Sequence, residues 1–184
     1  MRISGLLLAS LIAAAPLAAQ DVSGWAGALA GFQTQGSDLR GAKDAALFGV
    51  TGGVWFNKSW GLDAQFHTAN IESSKGAGSG TQQYLTASVL FNFLPSNPVW
   101  SLYVKAGGGT VRVEPPWSGS NDTTNKSVTL AGIGTQYRIG LTGFAGVEVQ
   151  IVRFDADYHE WPIMFSAGWR FGGGLKPAPK PAPK

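Results

Sequence analysis

After residue 21 the chain reads as runs of about ten residues in which apolar and polar side chains take turns, and this period of two constrains the fold more than any other feature. Such alternation sets one face of a strand in an apolar medium and the other in a polar one. Eight runs are legible, at 22–32, 46–56, 60–70, 82–94, 99–112, 127–138, 144–154 and 161–171. In the third, Trp60, Leu62, Ala64 and Phe66 alternate with Gly61, Asp63, Gln65 and His67. In the fourth, Leu85, Ala87, Val89, Phe91 and Phe93 oppose Tyr84, Thr86, Ser88 and Asn92, and in the fifth, Trp100, Leu102, Val104 and Ala106 oppose Ser101, Tyr103 and Lys105. In the seventh, Ala145, Val147, Val149 and Ile151 oppose Glu148 and Gln150. The first and sixth runs are rich in Ala and Gly, and their facing stays open.

The connections alternate in length. Gln33 to Ala45, Ile71 to Thr81, Val113 to Lys126 and Asp155 to Glu160 are long, whereas Asn57 to Ser59, Pro95 to Pro98 and Ile139 to Gly143 are short. A meander of eight strands with both ends on one side needs three turns on that side and four loops on the other, which is the count found here. In hydrocarbon every backbone N–H and C=O must be satisfied within the protein, and a closed sheet does this while removing the exposed edges of a flat one. The expected fold is therefore all-β, an eight-stranded antiparallel up-and-down transmembrane β-barrel. Aromatic residues gather near the run ends: Phe56, Trp60, Phe93, Trp100, Phe144, Trp169 and Phe171 toward the short turns, and Phe32, Phe48, Phe66, Phe154 and Trp161 toward the loops. Two such girdles match the two lipid interfaces. The competing arrangement, a soluble barrel with these rings as its core, would reverse the facing of every strand.

Residues 1–20 carry Arg2, an apolar stretch from Ile3 to Ile12 and a small-residue segment around Pro16 and Ala19, the pattern of a cleaved signal peptide. The expected barrel occupies 21–171, and 172–184 form a Gly hinge with a Pro/Lys-rich periplasmic tail. The net charge of +3 is carried by the ends: from Asp21 to Phe171 ten basic residues face eleven acidic ones, without a basic stripe for nucleic acid. The absence of cysteine excludes disulfides and thiolate metal sites.

The first run's Ser23-Gly24-Trp25-Ala26-Gly27-Ala28, the sixth run's Ala131-Gly132-Ile133-Gly134-Thr135-Gln136-Tyr137-Arg138 and the closing Ser166-Ala167-Gly168-Trp169-Arg170-Phe171-Gly172 resemble the small outer membrane β-barrel proteins of the OmpA-like superfamily over residues 21–172. The resemblance implies a bacterial outer membrane location, with lipid and lipopolysaccharide around a monomer. It also implies that the alternating closing strand, Phe165, Ala167, Trp169 and Phe171, is recognised by the outer-membrane assembly machinery. The tail is similar to the proline-rich linker of OmpA, so contact of its lysines with peptidoglycan is an expectation; the activity of the domain that follows that linker in OmpA is not carried over.

An eight-stranded barrel is narrow enough for side chains to fill. The inward charges expected are Asp63, Lys105, Glu148 and Arg170, two acids and two bases that neutralise one another as a polar plug or line a gated ion path. The function expected is a structural or porin-like role in the envelope; the alternative is a surface recognition or adhesion barrel acting through its loops, with Trp117 in Glu114-Pro115-Pro116-Trp117 as the contact candidate. No enzyme is expected, because neither His67, with Thr68, Glu72, Ser73 and Ser74 near it in sequence, nor His159 belongs to a His-x-Ser pair at a strand end, and there is no nucleophile-elbow motif. Neither a cofactor nor a metal is expected, the segment Asp155-Ala156-Asp157-Tyr158-His159-Glu160 being an acidic loop without fixed ligand geometry. Asn57, Asn121 and Asn125 head glycosylation-like triplets that are chance matches.

Overall fold

The computed structural model describes residues 22–35, 44–72, 79–114, 124–154 and 159–172. Eight antiparallel strands follow one another around a closed barrel: β1 (Ser23–Gln35), β2 (Ala45–Trp55), β3 (Trp60–Glu72), β4 (Ser79–Asn92), β5 (Trp100–Glu114), β6 (Thr124–Ile139), β7 (Gly143–Arg153) and β8 (His159–Gly172). Closure is by β1 against β8, in register from Ser23 opposite Gly172 to Gln35 opposite Glu160. The strands begin and end within a few residues of the apolar runs, and most of the difference lies on the loop side, where β3, β4, β5 and β6 run further than the alternation shows. Pairing there replaces water for backbone groups that would otherwise stand free, so it continues after the hydrophobic pattern has ended.

The outer face is apolar. Phe48 is 61% exposed, Trp169 is 68% exposed, and Phe32, Val50, Leu85, Ile133 and Phe165 stand out beside them. An apolar surface that encircles the molecule is what a lipid-immersed barrel requires and a soluble one avoids. The turn-side girdle is held by ring contacts across paired strands, Trp60 with Phe91 at 4.9 Å and Trp100 with Tyr137 at 4.8 Å. Trp60 and Trp100 are set by the same local device. The Asn57 Oδ1 accepts the N–H groups of Ser59 (2.8 Å) and Trp60 (2.9 Å), and the Asn97 Oδ1 accepts those of Val99 (2.9 Å) and Trp100 (2.8 Å). Each asparagine side chain thus stands in for a backbone carbonyl and delivers the chain into the next strand at a fixed angle.

Two girdle assignments are corrected. Phe144 and Phe154 point inward and are buried. Phe144 has the parity of Glu148, and Phe154 that of Val152, so both fall on the lumen face of β7 or its continuation. Glu160 is a further correction: it belongs to β8, fully buried, and not to the preceding loop.

The facing of β1 and β6 is resolved by burial. Ala26, Ala28, Ala30 and Phe32 meet lipid while Trp25, Leu29 and Gln33 lie inside; in β6, Ala131, Ile133 and Tyr137 face out and Val128, Leu130 and Gln136 face in. Glycine makes the inward aromatics possible. Trp25 is paired across the sheet with Gly53, Trp55 with Gly61 and Tyr103 with Gly134. A Cβ on Gly134 would lie 2.5 Å from the Tyr103 hydroxyl oxygen, and one on Gly61 2.8 Å from the Trp55 ring. The rings therefore lie along the wall over bare backbone, which packs a narrow lumen without forcing the strands apart.

Candidate functional site

The lumen is layered. Toward the turns, Trp25, Trp55, Leu90, Tyr103 and Phe144 form an aromatic floor, with Trp25 and Trp55 centroids 5.5 Å apart. Toward the loops, Tyr84, Val111, Val128, Leu130, Val152 and Phe154 form one apolar cluster, and Leu29, Ala45, Leu47, Ala69 and Met164 another.

Between floor and roof lies the charged centre. Lys105 Nζ is 3.1 Å from Asp63 Oδ2 and 2.7 Å from Glu148 Oε1, and all three side chains are buried. Tyr103 donates its hydroxyl to Glu148 Oε2 at 2.8 Å, and Gln150 donates to Gln65 Oε1 at 2.9 Å and to Glu148. Charges withdrawn from water are tolerable only when paired and further hydrogen-bonded; the tyrosine and the two glutamines do this for Glu148, while Asp63 Oδ1 is buried without a partner among the described residues. The remaining cavity at this level, lined by Asp63, Gln65, Tyr103 and Glu148 among others, measures about 20 Å³, room for roughly one water molecule.

Of the four inward charges expected, the structure brings Asp63, Lys105 and Glu148 together and places Arg170 elsewhere, at the turn-side mouth with Arg138 and Lys58. Arg170 has the expected inward parity but sits near the end of β8, beyond the aromatic floor. A second polar cluster was not singled out from the sequence. Glu160 accepts hydrogen bonds from Gln33 Nε2 (2.6 Å), Gln82 Nε2 (3.1 Å) and the Tyr84 hydroxyl. Parity was the available signal, since Gln33, Gln82 and Tyr84 each continue the inward set of their strand.

His67 is buried and stacks on Tyr84 with centroids 4.5 Å apart; neither ring nitrogen has a hydrogen-bond partner among the described residues, so no hydroxyl there is placed for activation. His159 is exposed at the outer rim, its ring 6.3 Å from that of Trp161. Among the described residues no group of three or more metal-ligating side chains occurs; residues 155–158 of the acidic segment, and Trp117, lie outside the described residues. Phe165, Ala167, Trp169 and Phe171 all face outward along β8.

The sequence model of the outer membrane protein beta-barrel domain matches residues 4–171. The chain belongs to that family. It is thus a protein of the bacterial outer membrane. Among solved structures it is similar to Ail, the attachment invasion locus protein of Yersinia pestis, solved in complex with the heparin analogue sucrose octasulfate: identity is 23%, covering 82% of this chain and 97% of that one, with a TM-score of 0.57. It is also similar to the N-terminal β-barrel domain of Pseudomonas aeruginosa OprF (17% identity, 83% and 98% covered, TM-score 0.58) and to Neisserial surface protein A (14%, 82% and 96%, TM-score 0.53). At these identities the likeness is one of fold. No curated protein sequence matches the chain significantly.

Proposed function

We propose that this barrel is a structural element of the outer membrane whose lumen is plugged, displaying its loops outward and its C-terminal tail toward the cell wall. The observation that carries this reading is Lys105 held between Asp63 and Glu148 above a cavity of about 20 Å³. A hydrated ion cannot pass a section filled by paired charges, two glutamines and an aromatic floor. Purified protein in planar lipid bilayers is expected to show no sustained conductance; steady unitary currents from the wild-type barrel would establish a porin-like path instead. In that case Lys105→Ala should raise the single-channel activity.

Surface recognition is favoured by one observation. β5 and β6 have 15 and 16 residues, whereas a tilted strand crosses the bilayer in about 9–11, so their hairpin rises well above the membrane and carries an exposed Arg112–Glu114 pair at 3.2 Å. Deletion of Glu114 to Lys126 should abolish binding to host or phage surfaces in this reading and leave envelope integrity intact. In either reading the chain acts as a monomer among phospholipid and lipopolysaccharide, after loss of residues 1–20. Phe165, Ala167, Trp169 and Phe171 serve as the segment engaged by the assembly machinery, and Lys176, Lys180 and Lys184 meet peptidoglycan.

A further inference from the structure

The turn-side mouth of the barrel opens into a vestibule of about 260 Å³. Its wall includes Lys58, Arg138 and Arg170 from three separate parts of the chain and not one acidic side chain. The charge of Arg138 is felt at Arg170, yet among the described residues no carboxylate lies within ion-pair distance of Lys58, Arg138 or Arg170. The Arg138 Nε is buried and has no hydrogen-bond partner among the described residues. The carboxylates of the charged centre cannot serve, because both are committed to Lys105 and lie beyond the layer of Trp25, Trp55 and Tyr103.

The neutral groups of the vestibule point to the same chemistry. Asn57 and Asn97 line it, and each has its carbonyl oxygen occupied by two backbone N–H groups of its own turn. What each amide has left to offer is its Nδ2, a donor. Asn92 is spent likewise, its oxygen accepting from the Leu94 N–H and its Nδ2 donating to the Lys58 carbonyl, a bond that fixes the Lys58 turn over the mouth. The vestibule therefore presents two guanidinium forks, one ammonium and amide N–H groups from several directions.

We infer that the periplasmic mouth of this barrel is a binding site for a phosphate group, held between Arg138 and Arg170 with Lys58 and the Asn57 and Asn97 amides completing the shell. Guanidinium forks match a phosphate edge with paired hydrogen bonds, and a tetrahedral dianion uses donors arriving from several sides better than a flat carboxylate does. The phosphate is either a soluble ion or monoester of the periplasm or the headgroup of an inner-leaflet phospholipid bent over the rim.

The test uses the full chain folded in maltoside micelles and titrated with inorganic phosphate, followed by the arginine Nε–Hε resonances and by calorimetry. Saturable shifts confined to Arg138 and Arg170, with Arg112 and Arg153 unmoved, are expected. Arg138→Gln with Arg170→Gln should weaken binding about tenfold or more, while Arg112→Gln leaves it unchanged. Shifts at Arg112 and Arg153 equal to those at Arg138 and Arg170, an absence of saturation, or unchanged affinity in a double variant that still shows heat-dependent gel mobility would overturn the site. The wild-type resonances decide the matter even where the double variant fails to fold. Repeating the titration in phosphatidylcholine bilayers with and without phosphatidylglycerol distinguishes the sources: weaker apparent affinity with phosphatidylglycerol identifies the lipid headgroup as occupant, and unchanged affinity identifies the soluble anion.

Discussion

The middle of the barrel and its turn-side mouth hold similar charges under opposite terms. In the middle, Lys105 is buried and has two carboxylates; at the mouth, Arg138 and Arg170 line one vestibule with no carboxylate among the described residues. The difference follows water. A cation removed from solvent costs several kcal/mol unless paired, whereas a hydrated mouth screens the repulsion of two guanidiniums. Between these two places pairing thus tracks depth: it is present at the dry centre and absent among the described residues at the wetter mouth.

Three substitutions sharpen or break that comparison. The largest effect is expected for Lys105→Ala, which strands Asp63 and Glu148 and should cost about 3–5 kcal/mol, measured as a fall in the urea midpoint of unfolding in micelles. Adding Asp63→Asn and Glu148→Gln should restore most of it. A loss below about 1 kcal/mol would mean that the centre is as hydrated as the mouth. An intermediate effect is expected for Gly134→Val, whose methyls meet the Tyr103 ring; it should cost about 1–3 kcal/mol, and Tyr103→Ala in the same chain should relieve part of it. The smallest is expected for Arg170→Gln, within about 0.5 kcal/mol of the wild type in the same assay. A large loss there would show that the mouth, too, depends on its charges for folding.

Closure, strand number and the outward faces of β3, β4, β5 and β7 were legible in the sequence because alternation and loop length are local quantities. The inward facing of Asp63, Lys105 and Glu148 was legible for the same reason, but parity alone grouped Arg170 with them, because it does not report height along the barrel. What stayed hidden depended on pairing around the ring. β1 shows small residues on both faces, and only the cross-strand match of Trp25 with Gly53 decides which face is the lumen. Phe144 and Phe154 were misassigned by weighing closeness to a strand end over parity, the stronger constraint. Glu160 lay among Asp155, Asp157 and His159 in sequence, which obscured that it shares the inward face with Pro162 and Met164. Arg138 and Arg170 come from β6 and β8, two strands separated by β7, so their meeting at one mouth is a property of the closed cylinder.

The β1–β8 seam has a consequence for how the chain can be cut. Ser23 lies opposite Gly172, so the barrel begins and ends at neighbouring points of one rim, and the seam is hydrogen-bonded like the other strand pairs. Joining those ends by a short bridge and opening the chain in the outer loop between β4 and β3 would yield a circular permutant with every pair retained. Its terminal strand would then be β3 and no longer β8, which separates the order in which strands leave the ribosome from the geometry they finally adopt.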